Sequence, residues 1–221
     1  MSLMSREATY RESAAYGGLI DAIGGIATIV LTIVGLAGVH VQLMVAIATI
    51  VFGVALLIQG GTMVSEFAQI VFPSESKADT VDEFGATSLT AVFMGGAAGI
   101  VLGVLALLGI NPTVLTPIAT IVFGTALVLS SNAVWRLYML RRSVKSEGQY
   151  SGSEILASEI ASGSAGMQAL AGLTAIVLGV LAVAGEADLT LNLVALLALG
   201  STIVLTGGGL AATVLGFMRS A

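Results

Sequence analysis

Long apolar stretches alternate with short polar ones along the whole chain, and the apolar stretches come in pairs. They run approximately over 16–39 and 42–65, then 86–110 and 113–137, then 165–185 and 189–215. Each is close to the roughly 20 apolar residues that carry a helix across a bilayer. The members of a pair are joined by a few residues that follow Gly38, Gly109 or Gly185, whereas successive pairs are joined by longer polar segments. The pattern predicts an all-α integral membrane protein with six transmembrane helices.

The pairs are copies of one another. The heptapeptide IATIVFG occupies 47–53 and again 118–124, an offset of 71, and VLGVLA occupies 101–106 and again 177–182, an offset of 76. With those two offsets applied, glycines fall into aligned triples: Gly25, Gly96 and Gly172; Gly38, Gly109 and Gly185; Gly53, Gly124 and Gly200. Ala48, Ala119 and Ala195 align as well, and so do Glu12, Glu83 and Glu159 in the polar lead before each pair. A fixed period marks a repeated supersecondary unit. We therefore expect a single membrane domain over 1–221, built of three tandem helical hairpins over about 7–68, 78–139 and 154–215. Hairpins that cross and return share one orientation, so the repeats are parallel, with pseudo-threefold symmetry about an axis along the membrane normal.

Composition agrees: 57% of the 221 residues are apolar, 10% are charged, and mean hydropathy is +1.04. A water-soluble domain carries about 25% charged residues, which rules that class out. No cysteine is present, so disulfides, thiolate metal sites and a Cys nucleophile are excluded. The net charge is −5, and without a basic stripe nucleic acid is not an expected partner. In the first residues two Arg are matched by two Glu. The apolar run after them exceeds a signal-peptide core, so it reads as a retained anchor. All eight Lys and Arg lie in or beside the termini and the two long connections. Short basic loops stay cytoplasmic, which predicts cytoplasmic N- and C-termini and outer turns near His40, Asn111 and Glu186.

Candidate chemistry is sparse. Asp21 is an ionisable residue inside the first apolar run, which marks an ion or proton pathway unless water or Arg11 satisfies it at the helix end. Thr28, Thr32, Thr49, Thr120 and Thr174 are the other polar candidates at depth, and such threonines commonly bond their own helix. His40 is the one histidine; it reads as an exposed turn residue or an outer pH sensor. Glu186 and Asp188 make the third turn acidic, but two carboxylates do not define a calcium site. Glu12, Glu83 and Glu159 are expected to cap helix N-termini, the alternative being a cytoplasmic acidic ring. Trp135, Arg136, Tyr138, Arg141 and Arg142 suit interfacial anchoring to anionic lipid or docking of a partner. The segment 153–165 reads either as a helix along the inner membrane surface or as the start of the fifth helix.

Gly95, Gly99 and Gly103 place small residues at four-residue spacing, a pattern for close helix contact on one face. The triples Gly25, Gly96, Gly172 and Gly53, Gly124, Gly200 suggest further close contacts, the first of them expected inside each unit. No Ser-His-Asp set, metal cluster, phosphate loop or catalytic carboxylate pair can be assembled. An enzyme is not expected, and neither is a cofactor or a metal.

The units GIATIVLTIVGLAG…IATIVFGVALLIQG and GIVLGVLALLGINPTVLTPIATIVFGTALVLSS resemble the short membrane repeat of the HdeD acid-resistance membrane protein family. The resemblance covers roughly 16–215 and rests on spaced glycines and on the Gly-Ile-Asn-Pro turn at Gly109–Pro112, whose proline the first unit replaces with Val41. It implies a multi-pass protein of the bacterial inner membrane, linked to stress or acid tolerance, with no catalytic residue carried over. The function expected is a non-enzymatic oligomeric scaffold, a homo-oligomer or the membrane subunit of a larger assembly in contact with membrane lipids. The alternative is a small channel or transporter for protons or a neutral solute.

Overall fold

A computed structural model describes residues 3–71, 82–144, 152–185 and 188–219, with side chains described in 20–61, 90–131, 166–185 and 189–206. The described chain is all-helical: α1 (Leu3–Leu36), α2 (Val41–Val71), α3 (Asp82–Leu107), α4 (Pro112–Val144), α5 (Gly152–Val183) and α6 (Asp188–Arg219). Five are long and apolar enough to cross a membrane, over Val41–Gly61, Thr90–Leu107, Pro112–Ser131, Gly166–Val183 and Leu189–Thr206. The corresponding apolar segment of α1 among the described residues is Ile20–Leu36.

The helices outrun the apolar stretches at one end. α1 has 34 residues, about 51 Å at ~1.5 Å per residue, against a hydrocarbon core of about 30 Å. The excess lies away from the short turns, at the end that carries the termini and long connections. There α5 already begins at Gly152, so the segment 153–165 is the start of the fifth helix and not a separate surface helix. The capping expectation fails for two of the three aligned glutamates. Glu83 falls in the first turn of α3, but Glu12 and Glu159 lie well inside α1 and α5, beyond the turn over which the helix dipole acts.

The tight turns are built by backbone chemistry. Gly38, Gly109 and Gly185 all have positive φ, of 87°, 82° and 92°, a region open to glycine because it lacks Cβ. Gly38 N–H donates to Gly35 O at 2.9 Å and Val39 N–H to Val34 O at 3.3 Å; Gly109 and Ile110 repeat this with Ala106 and Leu105. These paired bonds satisfy the last carbonyls of α1 and α3 and stop each helix. His40 and Asn111 follow, each at φ 41°, and their carbonyls accept the first helical bonds from Met44 and Leu115. Asn and His are among the residues that best tolerate this left-handed conformation.

The bundle has an inner and an outer set of helices. α2, α4 and α6 each touch the other two, while α1 lies against α6 and α2, α3 against α2 and α4, and α5 against α4 and α6. On the inner helices a stripe of large side chains meets at the centre: Phe52, Leu56, Phe123, Leu127, Leu196, Leu199 and Ile203 are all buried. Phe52 and Phe123 pack with ring centroids 4.8 Å apart and planes tilted by 59°, a favoured aromatic geometry. The outer helices turn small residues inward, such as Gly25, Gly96, Gly99, Gly172 and Ala175, and large ones outward, such as Ile23, Val30, Val101, Leu170 and Val177. In water that exterior would be a large adhesive patch, whereas in lipid it faces its own kind.

The aligned glycines do mark close contacts, but between units and not inside them. A Cβ on Gly96 would stand 2.8 Å from Gly53 O, one on Gly172 2.6 Å from Gly124 O, and one on Gly25 2.9 Å from Gly200 O. Thus α3 meets α2 of the preceding hairpin, α5 meets α4, and α1 meets α6. Inside the hairpins the close approaches use other positions: Gly24 against Ala55 and Gly95 against Ala126, each at 2.8 Å. Gly95, Gly99 and Gly103 also differ from the single face expected. Gly95 and Gly99 approach α4 at Ala126 and Phe123, while Gly103 approaches α2 at Ile50 and Ala46. Eight residues of a helix with 3.6 per turn rotate by about 80°, enough to pass from one neighbour to the next.

Candidate functional site

Most of the polar side chains buried in the bundle lie on two levels with an apolar plug between them, while Thr28 on α1 and Thr202 on α6 are buried at the depth of the plug. Toward the tight turns are Thr116, Thr120 and Asn192, each fully buried. Toward the other end are Asp21, Gln59, Ser130, Ser131 and Gln168. Between the two levels, Phe52, Phe123, Leu199, Leu56, Leu127 and Ile203 are exposed by 1% or less.

Most of the hydroxyls are occupied by their own helices. Thr28 donates to Gly24 O at 2.8 Å, Thr32 to Thr28 O at 2.9 Å, Thr49 to Val45 O at 2.8 Å and Thr174 to Leu170 O at 2.8 Å. Ser130 and Ser131 donate to Leu127 O and Val128 O at 2.9 and 2.8 Å. Back-bonding removes these hydroxyl hydrogens from any polar path across the bundle. The exception joins two helices: Thr120 on α4 donates to Asn192 Oδ1 on α6 and also has Thr116 O at 3.1 Å. One hydroxyl hydrogen therefore has two acceptors in reach, and Asn192 Nδ2 is buried without a partner among the described residues.

Asp21 sits on the inward stripe of α1, in line with the buried Gly25, Thr28, Thr32 and Gly35 at alternating spacings of four and three. It is 8% exposed, and Oδ1 has no hydrogen-bond partner among the described residues. It points into the bundle and not toward lipid. The offsets align it with Val92 and Gln168, which are also buried.

The remaining expected residues fall elsewhere. His40 is exposed in the first turn, and its backbone conformation accounts for its place there. Side chains of Glu12, Glu83, Glu159, Trp135, Arg136, Arg141 and Arg142 lie outside the described residues, as does Glu186. Among the described residues no group of three or more His, Asp or Glu side chains is placed to hold a metal. Asn192, Gln59, Ser130 and Gln168 were not singled out from the sequence. The signal was available, because the offsets set Asn192 on Val45 and Thr116, and Ser130 on Gln59, two positions of the inner stripe.

No protein-family model, curated protein or solved structure matches the chain.

Proposed function

We propose that the chain is a non-enzymatic, multi-pass membrane protein that acts by packing, as an oligomeric scaffold or as the membrane subunit of a larger assembly. In this reading all six helices cross the bilayer, the three hairpins surround a pseudo-threefold axis, and the termini and long connections are cytoplasmic. The observation that carries it is the closed centre: two apolar layers fill the region between the inner helices, and the described hydroxyls on either side, Thr120 apart, are bonded to their own backbones. Such packing among the described inner-helix residues favours a structural role over conduction.

Support for the arrangement comes from the glycine pairs Gly53–Gly96, Gly124–Gly172 and Gly200–Gly25, three contacts at aligned positions that link hairpin to hairpin and the last to the first. Because those glycines serve internal contacts, a partner has to be met by other surfaces. The helical extensions at the connection end supply one, with Trp135, Arg136, Arg141 and Arg142 on α4 as groups for lipid or protein contact. The HdeD-like resemblance adds a bacterial inner membrane and a stress or acid-tolerance setting to the proposal.

Extraction in a mild detergent, followed by measurement of the mass and composition of the complex, tests this. A fixed stoichiometry, either of copies of this chain or with a partner, is expected. A monomer that carries protons or a neutral solute into liposomes would overturn the scaffold in favour of a channel or transporter.

A further inference from the structure

We propose that Asp21 is the anchor of a buried monovalent-cation site, for a sodium ion or a proton, at the seam where the first and last helices meet. The proposal goes beyond the scaffold reading and does not depend on it.

The seam is defined by Gly25 against Gly200 and Val204 on α6, and by Gly24 against Ala55 on α2. Both neighbours run antiparallel to α1, so one turn back along α1 corresponds to one turn forward on each of them. That brings Asp21 level with Thr206 on α6 and with Gln59 on α2. Thr206 donates to Thr202 O at 3.0 Å and to Ile203 O at 3.1 Å, which leaves its hydroxyl lone pairs free to accept or to coordinate. Oxygen donors of this kind, a carboxylate and a hydroxyl, suit a hard cation.

Among the described side chains there is no Lys or Arg to neutralise the carboxylate. The charged residues of the packed elements are Glu66 on α2, and Asp188 and Arg219 on α6. Asp188 is at the opposite end of its helix from Thr206, Glu66 is itself acidic, and Arg219 lies 13 residues, about 20 Å, beyond Thr206 along α6. On α1 itself the nearest base is Arg11, ten residues away, about 15 Å along the helix. A buried carboxylate with an oxygen left unpaired is costly in a membrane bundle, and a small cation reaching it from the connection end of the bundle removes that cost. The plug of Phe52, Phe123 and Leu199 lies above this level, so occupancy does not imply passage. Its consequence is local: a neutralised Asp21 lets α1 seat against α6 one turn from the Gly25–Gly200 contact.

The repeat supplies matched variants, since the aligned residues are Val92 and Gln168. The position thus accepts both side chains in the other hairpins. The test is thermal unfolding of the full-length protein in mild detergent, with sodium chloride exchanged for choline chloride at constant ionic strength, and separately across pH. A melting temperature that rises with sodium and saturates, with the rise lost in Asp21→Gln and Asp21→Val and kept in Asp21→Glu, identifies sodium. Insensitivity to sodium together with a rise at falling pH, again lost in both variants, identifies the proton. Dependence on neither, or equal dependence in wild type and both variants, overturns the site. If the variants do not fold, wild-type labelling of Asp21 by a hydrophobic carbodiimide is read by mass spectrometry. Suppression by sodium or enhancement at low pH supports the site, and labelling indifferent to both overturns it.

Discussion

Gly25 and Gly200 close the bundle: a Cβ on Gly25 would stand 2.9 Å from the carbonyl oxygen of Gly200, 2.7 Å from Val204 Cγ2 and 3.0 Å from Val204 N. Two of those three neighbours are backbone, which yields only if the helices part. No turn connects α1 directly to α6, so this seam depends on side-chain size more than any hairpin does.

Alanine substitutions at the paired glycines should therefore rank by the atom they meet. Gly124→Ala, whose Cβ would lie 2.5 Å from Gly172 O, should cost most, Gly25→Ala and Gly53→Ala less, and Gly200→Ala least, since its nearest neighbour is 3.2 Å away. Overpacking a fitted core costs about 1–3 kcal/mol. Gly61→Ala, with nothing within 4 Å, should be neutral. Reversible unfolding in detergent gives the order, and a Gly200→Ala loss larger than that of Gly124→Ala would contradict it.

The turns give a second prediction. His40 and Asn111 both hold φ near 41°, a conformation that β-branched side chains resist. His40→Asn should leave stability unchanged, because the second hairpin uses Asn at the aligned position, whereas His40→Val should lower it by about 1–2 kcal/mol. Equal stability of His40→Val and His40→Asn would show that the turn does not require the left-handed residue.

The hydropathy pattern makes the helices and their pairing legible, because an apolar run of membrane length followed by a glycine needs no tertiary context to be read. Their ends at the long connections are less so. The polar segments about Glu12 and Glu159 carry no breaker, and α1 and α5 continue through them. The partner of each aligned glycine is a long-range choice as well. Gly96 presents the same smooth surface to either neighbour, and its contact with Gly53 follows from the helix being seated between α2 and α4. Asp21 was visible as a charge in an apolar run; that it points inward follows from Gly25, Thr28, Thr32 and Gly35 sharing its face, which only packing decides.

The Thr120–Asn192 contact should matter less than its burial suggests. Thr120 keeps Thr116 O as an acceptor at 3.1 Å when Asn192 is removed, and Asn192 already has one unpartnered nitrogen. Inter-helix hydrogen bonds in membrane bundles average about 0.6 kcal/mol by double-mutant cycle. Asn192→Val, which installs the residue of the aligned Val45, should change stability by less than about 1 kcal/mol. Phe123→Ala, which empties a fully buried site beside Phe52, should cost about 3–5 kcal/mol. A Thr120–Asn192 coupling above about 2 kcal/mol would mark that pair as the principal lock between α4 and α6.

Orientation can be tested on a clean background, since the chain has no cysteine. Arg6 and Arg11 on α1, Arg136, Arg141 and Arg142 on α4 and Arg219 on α6 lie where these helices extend beyond their apolar spans, and short basic segments are retained in the cytoplasm. The opposite end carries the exposed Asn111 turn, held by backbone bonds from Val114 and Leu115 at 3.1 Å each. A cysteine at Asn111 should react with an impermeant maleimide in intact cells, and one at Lys145 should react only after the membrane is opened. Asn111→Cys trades a residue that tolerates positive φ for one that tolerates it less, so Thr113→Cys in the same turn serves as the matched reporter. Labelling of Lys145→Cys from outside, with both turn cysteines silent, would invert the topology and place the Asp21 level on the outer side of the membrane.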